Sequence, residues 1–265
     1  MITIDGQYRL EDLGLKVLDV FDDPATTPFN ENTIQVPRND VTLLISEQSK
    51  PRPISISANS NTSNHVEIEE LLNSLSNLFY DSDGKRKKIT LELDHWQGKF
   101  VYAYIASEIQ SNRKRYLTNV ELNFICYDPT RYSKVFADEV LWGSEVINFT
   151  SHFKMGHEGG ITNFDILGNG DIQTSIYVDG LNVYPKIILN GSSDKLKIIS
   201  NGQTIDVPAF SNRRMEISRF TSTNNGQEIF INARNFKLLQ GNNAVTFRGN
   251  KKNFSVSFEF RDRYK

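Results

Sequence analysis

Hydrophobic side chains recur at every second position in two stretches of this chain. Over 120–127 (VELNFICY), Val120, Leu122, Phe124 and Cys126 fall on one side, and Glu121 and Asn123 on the other. Near the end, Phe254, Val256, Phe258 and Phe260 alternate with Ser255, Ser257, Glu259 and Arg261. A period of two is that of a strand half covered by a core. The first stretch runs into Asp128-Pro129, which ends it, because proline has no N–H for a ladder and aspartate favours turns. That junction predicts a domain seam, with 1–137 on one side and 138–265 on the other.

Before the seam the pattern is mixed. Ile2–Ile4, Leu15–Phe21, Val41–Ile45 and Ile54–Ala58 read as strands, with Pro51-Arg52-Pro53 at the mouth of the last. Residues 22–40, with Pro24, Pro28 and Pro37, read as turns. One helix is predicted. Asn64 is a candidate N-cap with Glu67 three residues on, at capping-box spacing. Ile68, Leu71, Leu72, Leu75, Leu78 and Phe79 then form one apolar stripe, and Asp83-Gly84 closes the segment. Ile89–Asp94 and Phe100–Ile105, joined near Gln97-Gly98, read as a hairpin.

After the seam the chain is nearly all β. Strands are predicted at Val146–Thr150, Ile172–Val178, Pro185–Leu189, Lys195–Ile199, Thr204–Val207, Arg214–Ile217, Glu228–Ile231, Ala244–Phe247 and Phe254–Phe260. The pairs Asn190-Gly191, Asn201-Gly202, Asn225-Gly226 and Gly241-Asn242 read as the turns between them, and Gly168-Asn169-Gly170 as a loop. Short strands at regular spacing define a sandwich or jelly roll. The chain as a whole is mainly β, with an α+β first half.

Composition narrows the chemistry. There are 17 Phe and 10 Tyr but 3 Met, which favours strands, and the formal charge is −2, too small to draw a polyanion or a membrane. No run approaches the length of a membrane span. The start has no basic and apolar leader pattern, so synthesis in a cytoplasm is expected. The single cysteine, Cys126, lies on an apolar strand face and reads as a small buried hydrophobe. His152 and His157, beside Glu158, sit in a glycine-rich stretch at a spacing that suits no ligand pair. No nucleophile elbow or phosphate-binding glycine pattern occurs, so catalytic, metal and cofactor sites are all read as none. The strongest charge run is Lys85, Arg86, Lys87 and Lys88, with 112–115 (NRKR) second. Both flank strands, where charge guards edges or meets another protein.

Several segments, taken in order, resemble the distal tail proteins of siphophages. They are 14–17 (GLKV), 50–56 (KPRPISI), 125–132 (ICYDPTRY), 184–187 (YPKI), 236–243 (FKLLQGNN) and 258–264 (FEFRDRY). The resemblance implies an N-terminal β-sandwich with a helix and a hairpin that assembles into a hexameric ring. It implies a galectin-like C-terminal β-sandwich. It also implies a place at the virion tail tip, between the major tail protein of the tube and the tail-associated lysin or hub, with receptor-binding proteins as further partners. Nucleic acid and membrane are not among the partners expected. Lys85–Lys88 would then be a subunit contact. The alternative is a carbohydrate-binding module or adhesin working through the C-terminal sandwich.

Overall fold

A computed structural model of the protein describes residues 1–21, 29–35, 42–60, 64–96, 98–113, 118–140 and 161–265. The chain divides into two compact units, Met1–Arg131 with Lys265, and Tyr132–Tyr264.

The first unit contains β1 (Ile2–Ile4), β2 (Tyr8–Arg9), β3 (Leu15–Phe21), β4 (Phe29–Gln35), β5 (Thr42–Ser49) and β6 (Arg52–Ser60). After helix α1 (His65–Phe79) come β7 (Ile89–Leu93), β8 (Lys99–Ile105), β9 (Gln110–Arg113) and β10 (Thr118–Cys126). Strand order is β2-β1-β7-β8-β10-β6-β3, with β9 also on β10 and each of these pairs antiparallel. The alternating strand is central: all nine residues of β10 pair with β6, from Thr118↔Ser60 to Cys126↔Arg52. Only Phe124 and Ile125 join it to β8, so the sheet turns a corner there. Inside lie Val120, Leu122, Phe124 and Cys126, with Ile54, Ile56, Leu91 and Val101 around them.

Helix α1 covers this core with Leu71, Leu75 and Phe79, the ring of Phe79 meeting Phe124 edge-on at 5.4 Å. Each such side chain contributes roughly 1.5–3 kcal/mol of burial. Asn64 caps the helix, accepting from the Val66 N–H at 3.1 Å, while its amide donates to Glu67 Oε1 at 3.1 Å. Asn64 is the cap the sequence predicts, but its oxygen takes the Val66 N–H, and Glu67 meets the Asn64 side chain. The helix stops at Phe79, ahead of a turn in which Asp81 Oδ1 accepts from Asp83 N–H and Lys85 N–H.

One N-terminal expectation changes. Residues 29–35 are not turn but strand: β4 pairs with β5 as a separate two-stranded hairpin. Its sequence FNENTIQ carries no apolar alternation, because neither face of it is covered.

The second unit contains β12 (Asn163–Val178), β13 (Lys186–Ser200), β14 (Gln203–Val207), β15 (Phe210–Ile217), β16 (Ser222–Asn224), β17 (Gln227–Glu228), β18 (Gly241–Glu259) and β19 (Arg263–Tyr264); β11 (Arg131–Ser133) marks the seam. One seven-stranded sheet runs β12-β18-β13-β15-β16-β17, with β14 on β13. The sequence reads Pro185–Leu189 and Lys195–Ile199 as two strands, and likewise Ala244–Phe247 and Phe254–Phe260. Each pair is one long bent strand. Asn190-Gly191, Gly241-Asn242 and Gly168–Gly170 are therefore not turns or loops but parts of strands. Asn201-Gly202 and Asn225-Gly226 are true hairpin turns, with φ of 50° and 73° in the first and 47° and 81° in the second.

Register shifts at Gly168/Gly170 on β12, between Gly191 and Lys197 on β13, and opposite them near Asn250–Asn253 on β18 fall side by side. Such bulges insert a residue and bend a strand. In β18 the buried positions are Asn243, Val245 and Phe247 before the bend, and Lys252, Phe254, Val256 and Phe258 after it, so the parity flips. Phe247 and Phe258 are then 6.3 Å apart, centroid to centroid. Eleven residues of straight strand would span about 36 Å. The sheet folds over on this crease into a β-sandwich, with Ile187, Leu189, Leu196, Ile198, Phe247 and Phe258 in its interior. Gly191, at φ +138°, lies on the crease, where a Cβ would overlap the Asn253 carbonyl and come 2.7 Å from the Phe254 Cα.

Candidate assembly interface

An isolated two-stranded hairpin is marginal in water, since it has no third strand or helix to cover a face. The β4–β5 hairpin nevertheless holds its apolar residues outward: Ile34 is 55% exposed, Leu43 53%, Leu44 52% and Ile45 59%. Ile34 pairs with Leu43 on one face, and Leu44 opposite Thr33 takes the other. Beside it in sequence, β3 is the last strand of its sheet, and Leu18 and Phe21 on it are 47% and 61% exposed. Covering such half-exposed side chains is worth about 1 kcal/mol each. Exposed apolar side chains gathered on one hairpin make it a candidate interaction surface. The sequence carries one signal for it that alternation alone does not weigh. Leu43-Leu44-Ile45 is apolar at three consecutive positions, which a strand with one wet face does not require.

The basic run lies on the same unit, exposed along its length, between the helix and β7. Arg86 donates to the Ile105 carbonyl at 3.2 Å, Lys87 to the Asn77 carbonyl at 2.8 Å, and the Lys88 ammonium sits 3.6 Å from the Tyr102 ring centroid. Lys85 approaches Asp83 at 4.0 Å with both side chains over 70% exposed, a contact that contributes little in water. Three of the four thus brace the helix and the β7–β8 hairpin, and Lys85 reaches outward.

The other residues singled out in sequence take plain places. Cys126 is buried in the first core. Asp128 Oδ1 accepts from the Thr130 N–H at 3.1 Å, the turn its sequence predicts. Lys114, Arg115, Val146–Thr150, His152, His157 and Glu158 lie outside the described residues. Among the described residues no group of three His, Cys, Asp or Glu side chains is placed to hold a metal, and no helix is long and apolar enough to cross a membrane. A shallow groove of about 300 Å³ on the second unit is lined by Asn163, Phe164, Asp165, Asn190, Ser255, Val256 and Ser257. Its aromatic residue, Phe164, is partly buried against the second core.

Residues 8–126 match the family described as the phage tail protein RIFT-related domain. Over its whole length the chain has the fold of the SPP1 Dit (gp 19.1) protein, whose crystal structure is described as a paradigm of the hub adsorption apparatus in phages infecting Gram-positive bacteria. The TM-score is 0.71 at 14% identity, covering 100% of this chain and 98% of that one. Two structures of the phage p2 baseplate in its activated conformation, with calcium and with strontium, align with TM-scores of 0.43 and 0.44. Their identities are 10% and 11%, with 95% and 98% of this chain covered and 92% and 97% of those. At those scores they add nothing to the assignment. No curated protein sequence matches. The likeness to siphophage distal tail proteins, read from short scattered motifs, is borne out by the family match and by the fold.

Proposed function

We propose that this chain is a structural protein of a siphophage tail tip that closes into a ring through its first unit. The observation that carries the reading is the β4–β5 hairpin, apolar on both faces, on a domain of the phage tail RIFT-related family. A ring subunit must offer one surface and receive it elsewhere, since head-to-tail contacts close only by repetition. The hairpin is the surface offered, and the β3 edge with Leu18 and Phe21 is the matching receiver. Six copies are the number implied by the siphophage distal tail resemblance. In that arrangement the ring joins the major tail protein of the tube to the tail-associated lysin or hub. The C-terminal sandwich is galectin-like and serves as an attachment platform for receptor-binding proteins. Lys85–Lys88 supplies a further subunit contact in this reading, with Lys85 the member that meets a neighbour.

Native mass spectrometry of the full chain at rising concentration tests this. The native protein yields a closed oligomer, six being expected. Leu43→Asp with Leu44→Asp abolishes the closed ring, and Lys85→Glu weakens the ring several-fold in a salt-dependent way. A double variant that assembles as well as the native chain removes the hairpin from the contact and the reading with it.

A further inference from the structure

The corner formed by β15, β16 and β17 of the second unit carries an exposed surface distinct from the β4–β5 hairpin and the β3 edge. Arg219 lies in the turn in which the Ser218 N–H donates to the Thr221 carbonyl at 2.8 Å. Its guanidinium is 3.9 Å from the Tyr184 ring centroid and 4.9 Å from that of Phe220, and stacking of this kind holds the fork in place before any partner arrives. Phe220 is 75% exposed and Phe230 93%. The Ile229 N–H donates to the Ser222 carbonyl at 2.9 Å, so the register sets Phe230 beside Thr221, the residue after Phe220. Two positions back from Phe230, on the same side of the chain, is the exposed Glu228.

Among the described residues, Lys186, Arg214 and Arg248 of this unit are each paired with a carboxylate, whereas Arg219 and Glu228 have no ion-pair partner. Exposed aromatics beside an ordered arginine have the composition of an interface hot spot. The charges decide what covers it. An acidic partner satisfies Arg219 but meets Glu228 with like charge, and a basic one does the reverse. A second copy related by a two-fold axis sets Arg219 against Glu228 twice, with the phenylalanines between.

We propose that C-terminal units pair two by two through Arg219, Phe220, Glu228 and Phe230, a contact separate from the head-to-tail ring and independent of it. At about 200 Å² per ring, the exposed parts of Phe220, Phe230 and Tyr184 on two copies amount to roughly 800 Å². That is below the ~1,200 Å² of a standard stable interface, so the pairing is weak and sensitive to salt.

Sedimentation velocity of the full chain over a concentration series at low salt is the test. Arg219→Glu and Glu228→Arg each weaken the dimer about tenfold, the double exchange restores it to within about threefold, and Phe230→Ser removes it. All three positions are exposed, so unchanged melting temperatures accompany these losses. A native chain without a dimer, or a double exchange no better than the single ones, overturns the proposal. Leu43→Asp with Leu44→Asp separates it from the ring, because that variant loses the ring and keeps the pair.

Discussion

Asn243 is a buried side chain whose polar atoms are all engaged. Its Oδ1 accepts from the Leu239 N–H and from the Asn201 amide, each at 2.7 Å, and its Nδ2 donates to the carbonyls of Leu239, Gly241 and Ile176 at 2.7, 2.9 and 3.3 Å. One amide thereby fastens the start of β18 to the neighbouring loop and to β12. Removing it leaves buried backbone groups unpaired, at about 1–3 kcal/mol for each group not rescued by water. Asn243→Ala is expected to lower the unfolding free energy by about 3 kcal/mol, read from the urea midpoint. Asp262, 8% exposed, makes the same point about charge. Burial raises its carboxyl to about 7, against the opposing effect of the hydrogen bond from the Asp179 N–H at 3.0 Å. The unfolded chain releases that proton near 3.9. Between these values the folded state holds a proton the unfolded state has lost, so stability falls as pH rises through the window and levels off above it. Asp262→Asn should flatten that slope, worth on the order of 3–4 kcal/mol in all, in denaturant melts from pH 4 to 8.

Elements differ in how openly the sequence declares them. Strand β10 and helix α1 are legible because each has one covered face, and the cover imposes a period of two or of three to four. The long strands β13 and β18 are not. Glycine and asparagine mark any point where the backbone leaves the ordinary region, and a bulge uses them as readily as a turn does. Lys195 and Lys251, at φ 50° and 49°, show that even lysine takes this conformation on the crease. Lys252 beside it is buried and donates to the carbonyls of Gly170 and Gly249. Its stem and ammonium staple β12 to β18 at the fold. Gly191→Ala attacks the same line by driving a methyl group into β18. A loss of about 3 kcal/mol or more is expected, and Gly202→Ala, with open space around its Cα, should cost clearly less in the same thermal melts. The β4–β5 hairpin escapes a reading by periodicity for the opposite reason, since the cover that would give it a pattern is supplied by another subunit in the ring proposed above.

At the scale of the molecule, each unit has its own apolar core, one built around Leu122 and Phe124 and the other around Phe247 and Phe258. Units with separate cores unfold separately unless an interface couples them. Calorimetry should resolve two transitions, with Leu122→Ala (2–5 kcal/mol, about the usual cost of such a deletion) shifting one and Asn243→Ala the other. A single transition moved equally by both would show the units to be one cooperative body. An exposed apolar surface such as Leu43–Ile45 has no motif by which a sequence announces it, so the candidate interface was not legible at this scale. The crease has one more consequence. Because β12, β13 and β18 pass through it unbroken, the two layers of the sandwich are a single covalent and hydrogen-bonded fabric. They cannot slide or part as independently closed sheets can. Amide protons on both layers should exchange in one slow class, and tension applied at one layer should reach the other through three backbones at once.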